Sequence, residues 1–268
     1  MNSLNTQIAN HLKKVAGEWP LEPETSSING ALRVTSRWRQ LLIVQDYIRR
    51  HGTTIWGGPF KGMEYVSAAT EGALMPRLLG SYEGELHPHL HAFAQEDLEV
   101  VIDVGCAEGY YAVGLARLMP QVTVHARDIN QRALAACKAL AETNGVADRV
   151  IVGGEFKPQD FEAFAGRRGL VMVDCEGAEL DVLQPDLSPA LAGLSLIVET
   201  HDLFRAGVLS TLQQRFAPTH DITLVEQQYL AFEPPPWFAQ MPHLDRLLAL
   251  WEWRAAPTPW LVMRPKRP

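Results

Sequence analysis

An apolar segment that ends in a glycine-containing turn sets the architecture of this chain. Residues 100–109 read Val-Val-Ile-Asp-Val-Gly-Cys-Ala-Glu-Gly, and apolar residues follow at helical spacing up to Met119. An apolar run broken only by Asp103 is typical of a strand that is buried on both faces of a parallel sheet. The segment therefore predicts a strand, a turn and a helix in succession, a unit that brings backbone N–H groups close to a ligand.

The spacing of the two glycines narrows the choice of ligand. Gly105 and Gly109 are separated by three residues, whereas a dinucleotide-binding turn requires Gly-x-Gly-x-x-Gly, with its middle glycine against a pyrophosphate. Asp103 precedes the first glycine by two residues, and a carboxylate there repels phosphate but can hold an ammonium group. The turn therefore favours a ligand with a cationic amino-acid end. The pattern Asp-x-Gly-x-x-x-Gly resembles the first motif of class I S-adenosylmethionine (SAM)-dependent methyltransferases.

Beyond residue 97, strands and helices alternate, which predicts a parallel sheet covered by helices on both faces. Seven strands are predicted, at residues 100–104, 122–126, 149–152, 169–174, 194–199, 221–226 and 260–263. The predicted fold class is therefore α/β, with a Rossmann-like, mostly parallel, seven-stranded sheet. The resemblance implies that the seventh strand is antiparallel and lies between the fifth and the sixth.

The first part of the chain lacks this alternation. Residues 1–30 are polar with weak periodicity and are predicted to form a loosely held arm, whereas residues 34–51 have apolar side chains at helical spacing. We therefore divide the chain into a mainly helical N-terminal cap, residues 1–95, and a Rossmann-like SAM-binding catalytic domain, residues 96–268.

Several residues after the predicted strands lie where ligands bind in open α/β sheets. Asp128 follows the second strand, near the spacing at which a carboxylate accepts hydrogen bonds from ribose hydroxyls. The resemblance implies that Glu155 and Phe156 flank the adenine, and that Tyr82 and Glu83 cover the methionine end of the cofactor. The predicted cofactor-binding residues are Asp103, Gly105, Cys106, Glu108, Gly109, Asp128, Glu155, Phe156, Tyr82 and Glu83.

Three carboxylates cluster after the predicted fourth strand, in Asp174-Cys175-Glu176-Gly177-Ala178-Glu179. Like charges at this spacing repel one another unless the sulfonium, a metal or a basic side chain of the cap compensates them. The segment resembles the FkbM-type branch of methyltransferases, which often methylate hydroxyl groups of sugars or other secondary metabolites. We predict catalytic roles for Asp174 and Glu176, and we assign Glu179 to the N-terminus of the following helix.

A histidine follows the predicted fifth strand, in Glu199-Thr200-His201-Asp202. We predict that His201 is catalytic as the general base, because imidazole exchanges protons near neutral pH. Alternatively, Asp174 and Glu199 hold a divalent cation, since some methyltransferases that act on hydroxyls place metal ligands at the ends of strands four and five. Such a cation would lower the pKa of a bound hydroxyl. The sequence does not decide between a general base and a metal site, so we assign no residue as a metal ligand.

Charge and cysteine content restrict the expected partners. The formal net charge is −7, and the sequence has no block of lysine and arginine residues. Both features disfavour nucleic acid and acidic membranes as partners. No apolar run reaches the roughly 18 residues that cross a bilayer, and the N-terminal residues lack a secretory signal. The three cysteines are scattered along the sequence, which is typical of reduced thiols and not of a disulfide framework. We expect a cytoplasmic protein with a small-molecule acceptor, no nucleic acid and no membrane partner, and a homodimer is compatible with the sequence.

The predicted function is SAM-dependent methyl transfer, with O-methylation of a hydroxyl on a small molecule, sugar or secondary metabolite as the leading reaction. The sequence keeps three alternatives open: aminopropyl transfer, N-methyl transfer, and cofactor binding without catalysis. A nicotinamide-dependent dehydrogenase is disfavoured by the glycine spacing and by Asp103.

Overall fold

The computed structural model describes residues 3–66, 73–228 and 232–266. Its centre is a seven-stranded sheet in the order β3-β2-β1-β4-β5-β7-β6. The strands are β1 (Val100–Val104), β2 (Thr123–Arg127), β3 (Val150–Gly153), β4 (Gly169–Val173), β5 (Ser195–Glu199), β6 (His220–Val225) and β7 (Trp260–Pro265). Strand β7 pairs antiparallel with both β5 and β6, whereas the pairs among β1 to β5 are parallel. This is the sheet of class I methyltransferases, so the predicted fold class is confirmed.

Helices connect and flank the strands. They are α1 (Leu4–Gly17), α2 (Thr25–His51), α3 (Leu74–Leu79), α4 (His87–Ala94), α5 (Tyr110–Leu118), α6 (Gln131–Thr143), α7 (Glu179–Val182), α8 (Val208–Phe216) and α9 (His243–Ala249). Short 3-10 helices span Gly84–Leu86, Pro158–Phe164, Pro189–Gly193 and Pro236–Gln240. No helix in the described ranges is long and apolar enough to cross a membrane.

The central strands are buried on both faces, as their apolar composition predicts. Every residue of β1, β4 and β5 is buried. One face packs against α5, α6 and side chains of the cap such as Met75 and Phe93, and the opposite face packs against α8 and aromatic residues that include Phe161. Because the side chains of a strand alternate between the two faces, two separate apolar clusters form. The division of the chain at residue 95 stays a prediction.

The N-terminal region differs from the prediction. The residues expected to form a loose arm instead form α1 and the start of α2, and the Ser3 hydroxyl caps α1 by accepting from the backbone N–H of Thr6. No residue of α1 is buried, and the buried residues of α2 lie between Gln40 and Tyr47. Leu4, Ile8, Leu12 and Val15 do recur at helical spacing, but they stand in a mainly polar segment, and the prediction gave that polarity more weight than the spacing.

Candidate active site

The turn after β1 depends on its glycines. Gly105 has φ +86°, and a Cβ on it would lie 1.7 Å from the carbonyl oxygen of Asp174 at the end of β4. Gly109 has φ +96°, and its Cβ would lie 2.7 Å from the Cys137 sulfur of α6. Glycine is therefore required at both positions, because any side chain would separate the turn from its neighbours.

A cavity of about 480 Å³ opens beside this turn, at the carboxyl ends of the parallel strands. Four of the predicted cofactor residues, Gly105, Asp128, Glu155 and Phe156, lie in its wall. The side chain of Ile129 is 81% exposed at the same wall and offers an apolar surface. The cavity is lined further by Val104, Arg127, Asn130, Lys157, Pro158, Asp174, Cys175, Glu176, Ala178, Asp181 and Val182. It combines acidic and apolar groups, as a ligand with ribose hydroxyls and a flat base requires.

Asp128 is held in a fixed orientation at the cavity wall. Its Oδ2 accepts a hydrogen bond of 3.0 Å from the backbone N–H of Ala107, and its Oδ1 accepts one of 2.7 Å from that of Asn130. Each carboxylate oxygen keeps further lone pairs, so the group can also accept from hydroxyls. The bond to Ala107 joins the end of β2 to the turn after β1, where Ala107 has φ +45°.

Asp103 contributes a buried carboxyl group below the turn. Its side chain is 2% exposed, and its Oδ2 has no hydrogen-bond partner among the described residues. Burial, and then the charge of Asp128, raises the pKa of Asp103 to about 7. A buried carboxyl under the turn with one unpartnered oxygen, and an oriented carboxylate beside the turn, suit the chemistry of SAM, which combines an ammonium group with ribose hydroxyls. The residues present therefore fit the cofactor that the fold implies.

Replacing Asp128 with alanine is expected to weaken the binding of S-adenosylhomocysteine (SAH) by about 10- to 100-fold, because hydrogen bonds to a charged acceptor contribute roughly 1.5–3 kcal/mol. Calorimetric titration of the purified protein measures this change. Asp148→Ala serves as the control, because it removes an aspartate that does not line the cavity. An unchanged SAH affinity in D128A would contradict the ribose assignment.

Two of the predicted cofactor residues have side chains that are engaged elsewhere. Cys106 is buried beside Cys137, and the interaction of the two thiols together with burial raises its pKa. The Glu108 carboxylate lies 2.7 Å from Nη1 of Arg77 and also accepts from the Tyr65 hydroxyl. Glu108 thus connects the turn to the cap, and neither side chain belongs to the wall of the large cavity. Their cofactor contacts stay predictions.

A second cavity, of about 310 Å³, adjoins the first. Asp174 and Glu176 line both cavities, so the two meet at the end of β4. The second cavity is also lined by Arg77, Tyr82, Glu199, His201, Leu203, Phe204, Glu252, Trp253, Arg254, Ala255, Ala256 and Thr258. The structure therefore brings the predicted catalytic residues Asp174, Glu176 and His201 together around one space.

Glu179 orients His201. The carboxylate Oε1 of Glu179 accepts from Nδ1 of His201 at 2.7 Å and from the backbone N–H of Gly177 at 3.0 Å, and the Glu179 side chain is fully buried. A proton on Nδ1 leaves Nε2 free to accept, and Nε2 lies 3.7 Å from Oδ1 of Asp174 and 3.6 Å from Oε2 of Glu199. Glu179 does begin α7 as the sequence indicated, but sequence reasoning missed its contact with His201.

The pKa values of these groups follow from their contacts. Burial by itself lowers the pKa of His201, but the hydrogen bond to Glu179 and the charge of Glu199 outweigh it, so the pKa lies above its usual value. Burial, and then the charges of Glu199 and Glu83, raises the pKa of Asp174 well above its usual range. The pocket therefore contains acids and a base that exchange protons closer to neutrality than free carboxylates do.

Arg254 is the main positive group of the second cavity. Its guanidinium bonds to Oε1 of Glu83 at 3.0 Å, to Oε2 of Glu252 at 3.1 Å and to Oε1 of Glu199. Sequence reasoning missed this residue, because it lies in an irregular segment between α9 and β7 and in no motif. Arg254 thereby connects the cap, the end of β5 and the wall of the cavity.

Glu83, a predicted cofactor residue, is buried against this arginine. The carboxylate also accepts from the Tyr111 hydroxyl, and its backbone N–H donates to Oε1 of Glu252 at 2.9 Å. Burial, and then the charge of Glu199, raises the pKa of Glu83 to about 8. Its neighbour Tyr82 lines the second cavity, with the Arg77 guanidinium 4.4 Å above its ring.

Comparisons with known proteins agree with this geometry. Residues 95–167 match the family model of a methyltransferase domain. This part of the chain is therefore similar to a methyltransferase domain. The match supports the predicted enzyme class, a SAM-dependent methyltransferase, and the predicted cofactor, SAM. The FkbM-type branch, the cytoplasmic location and the divalent cation stay predictions.

The similar proteins differ in what they methylate. A ribosomal protein L11 methyltransferase from Acinetobacter baumannii (strain SDF) is 36% identical over 121 residues, which cover 42% of this chain and 38% of the relative. Among solved structures, the O-methyltransferase TomG from Streptomyces achromogenes, in complex with SAM, is 15% identical over 70% of this chain and 82% of its own, with a TM-score of 0.48. An rRNA methylase from Streptococcus thermophilus is 14% identical over 68% and 97%, with a TM-score of 0.44. The chain spans less than half the length of the curated relative.

The predicted partners are wrong. The sequence indicated a small-molecule acceptor and no nucleic acid, whereas the curated relative is named for a protein of the ribosome. The prediction relied on the net charge of the whole chain. The net charge of a protein affects how fast a charged partner approaches it, but the acceptor is selected by the groups around one cavity. A net charge of −7 therefore does not exclude a macromolecule as the acceptor.

Proposed function

We propose that this chain transfers a methyl group from SAM to an amine nitrogen of a protein, presented in the second cavity. The observation that supports this most directly is that Asp174 and Glu176 line both cavities. A methyltransferase needs a cofactor cavity and an acceptor cavity that open onto each other, because the reacting atoms must lie in line. The junction at the end of β4 meets this requirement.

The first cavity and the turn after β1 supply groups that suit SAM. Asp128 offers acceptors for the ribose, and Phe156 and Ile129 offer apolar surface for the base. Asp103 lies under the turn, where its unpartnered Oδ2 can accept from an ammonium group. When bound, SAM supplies an activated methyl group on a sulfonium. What remains for the protein is to orient the acceptor and to remove its proton.

The charge of the second cavity favours an amine as the acceptor. Asp174, Glu176, Glu199 and Glu252 line it, whereas its two guanidinium groups are engaged, Arg254 with Glu199 and Glu252 and Arg77 with the buried Glu108. The raised pKa of Asp174 means that an incoming cation would favour its ionised form. An excess of carboxylates attracts an ammonium group, whereas a neutral hydroxyl gains little from it. The name of the curated relative supports a protein as the carrier of that amine.

His201 is the group best placed to remove the proton. An ammonium has no lone pair for attack, so its proton must pass to a base, and Nε2 of His201 faces the cavity between Asp174 and Glu199. Glu179 holds the opposite nitrogen and stabilises the imidazolium that forms. Correct placement of the acceptor can contribute roughly 7–11 kcal/mol to lowering the barrier.

O-methylation of a hydroxyl is the second candidate. The His201–Glu179 pair favours it, because a hydroxyl also needs a general base and a histidine oriented by a buried carboxylate can act as one. The resemblance of the Asp174–Glu179 segment to the FkbM-type branch supports the same candidate. It shares the junction and the base with the first candidate and differs from it in the acceptor atom.

A divalent cation is the alternative role of this cluster. Asp174, Glu199 and His201 can each offer a ligand atom, all within 4.8 Å of one another. However, the guanidinium of Arg254 already bonds to Glu199 and supplies the positive charge there. We therefore expect methyl transfer to survive dialysis against EDTA unchanged, as measured by initial rates before and after treatment. Loss of activity that Mg²⁺ restores would assign the cluster to a metal.

Identification of the methylated atom tests the proposed function. The purified protein is incubated with methyl-labelled SAM and either the protein or the RNA fraction of ribosomes, and the labelled product is hydrolysed and analysed by mass spectrometry. We expect the label on a side-chain or terminal amine of a protein. A label on a hydroxyl would favour the second candidate. Failure of SAM to bind would overturn the function altogether.

A further inference from the structure

We infer that Arg77 is a positioning residue that couples the two cavities, so that a cofactor bound in the first cavity fixes the wall of the second and strengthens acceptor binding there. The inference rests on the proposed function, because it takes the second cavity as the acceptor site. Arg77 lies in α3 of the cap, and its guanidinium bonds to Glu108 in the turn after β1 on one side and to Tyr82 on the other.

The series of contacts begins at the wall of the first cavity. Asp128 lines this cavity and accepts from the backbone N–H of Ala107 at 3.0 Å. Ala107 has φ +45°, a conformation that a residue with a Cβ keeps only where its surroundings hold it. A ligand that fixes the Asp128 carboxylate therefore also restrains Ala107 and its neighbour in the chain, Glu108.

A buried ion pair passes this restraint to the cap. Oε1 of Glu108 lies 2.7 Å from Nη1 of Arg77, and the two side chains are exposed by 1% and 8%. The Tyr65 hydroxyl donates to the same carboxylate oxygen. Opening such a pair would leave a buried charge without its partner, so the pair stays closed and its two ends move together. The turn and Arg77 therefore behave as one unit.

The other side of the guanidinium contacts the second cavity. Nη2 of Arg77 donates to the Tyr82 hydroxyl at 3.2 Å, and the guanidinium carbon lies 4.4 Å from the centre of the Tyr82 ring. Both residues line the second cavity. A guanidinium can bond in two directions at once because its N–H groups form a rigid planar fork, which the compact ammonium of lysine cannot reproduce. A restraint on the turn thus extends to the wall of the second cavity.

This connection makes the binding of cofactor and acceptor cooperative. When the cofactor has already ordered the wall of the second cavity, the acceptor no longer has to do so and binds more tightly. By linkage, the acceptor strengthens cofactor binding by the same factor, and such factors are typically about 5- to 150-fold.

Hydrogen–deuterium exchange with and without SAH tests the coupling in the absence of an acceptor. The amides to follow are those of residues 74–86, all of which the structure describes and none of which lines the first cavity. We expect saturating SAH to slow their exchange by at least about 5-fold in the wild type. Calorimetric titration measures SAH binding in the same samples.

Two variants break the connection at either end. Arg77→Lys keeps a charge beside Glu108 but loses the fork, so SAH should still bind while slowing the same amides by less than about 2-fold. Tyr82→Phe keeps the ring, removes the hydroxyl that accepts from Arg77 and should show the same loss. Tyr82→Phe decides the question if Arg77→Lys does not fold.

Arg149→Lys is the matched control, since the Arg149 guanidinium bonds to the carbonyl oxygens of Ala116 and Val122, and this variant should keep the wild-type response to SAH. A purely structural Arg77 would leave the difference between free and SAH-bound protein unchanged in Arg77→Lys, as would direct contact of SAH with Tyr82. Either result, or no slowing of residues 74–86 in the wild type, would overturn the inference and leave the proposed function standing. If SAH does not bind the wild type, the proposed function is wrong and the inference falls with it.

Discussion

Replacing Arg254 with methionine is expected to lower the free energy of unfolding by about 3–5 kcal/mol, the usual cost of leaving buried charges without their partner. The guanidinium is 11% exposed and bonds to Glu83, Glu199 and Glu252, whose side chains are exposed by 1%, 7% and 10%. Methionine keeps the length and the apolar stem but leaves Glu199 and Glu252, and Glu83 once it ionises, without their cation. Urea denaturation at neutral pH, followed by circular dichroism, measures the loss.

The effect of R254M should depend on pH in a defined direction. The pKa of Glu83 is raised from the usual 4.5 to about 8 in the folded protein, so its contribution favours folding fully below about pH 4.5 and is lost as the pH rises through about 8. Without Arg254 the folded-state pKa would rise further, and the penalty for ionising Glu83 would grow. We therefore expect R254M to differ from the wild type more at about pH 9 than at about pH 6.

An exposed ion pair provides the control for this prediction. Arg205 lies 2.9 Å from Asp181, with side chains exposed by 45% and 67%, and exposed pairs contribute about 0–1 kcal/mol. Arg205→Met should therefore change the free energy of unfolding by no more than about 1 kcal/mol. If R254M and R205M destabilise the protein equally, Arg254 does not have the central electrostatic role that its contacts indicate.

The sheet could be predicted from the sequence because its strands are chemically distinctive. β1, β4 and β5 are buried throughout and are therefore apolar, so each predicted strand matches the observed one within a residue or two. The N-terminal helices could not be predicted with the same success. α1 has no buried residue and is held by the cap at Ser3 and by packing against α2, so its few apolar residues at helical spacing stand among many polar ones.

The site was predictable where its residues follow strands, and not where they depend on tertiary contacts. Asp128, Asp174 and His201 follow β2, β4 and β5, and the topology brings them to one edge of the sheet. Arg254 meets Glu83 across 171 residues of chain, and nothing in either local sequence indicates the pairing. Contacts of this kind depend on how the cap packs on the sheet, which spacing along the chain does not encode.

Replacing His201 with alanine is expected to lower the rate of methyl transfer by about 10²- to 10⁴-fold, the range usual for loss of a general base. The acceptor keeps its proton more of the time when no base faces it, while the cofactor cavity stays intact because His201 does not line it. Single-turnover transfer from labelled SAM to the ribosomal protein fraction measures the rate, and calorimetric titration with SAH should give an affinity within about 2-fold of the wild type. Unchanged transfer in H201A would remove His201 from the mechanism.

The partner of His201 distinguishes a base from a purely structural histidine. Activity that depends on neutral His201 should rise with pH through a pKa above the usual value for histidine, since the hydrogen bond and charge of Glu179 raise it against the effect of burial. Glu179→Gln keeps an acceptor for the Nδ1 proton but removes the charge, so the midpoint of the pH–rate profile should move to lower pH. A structural histidine would show a lower rate in E179Q at every pH with an unmoved midpoint. A shifted midpoint would therefore assign the proton transfer to His201 and its orientation to Glu179.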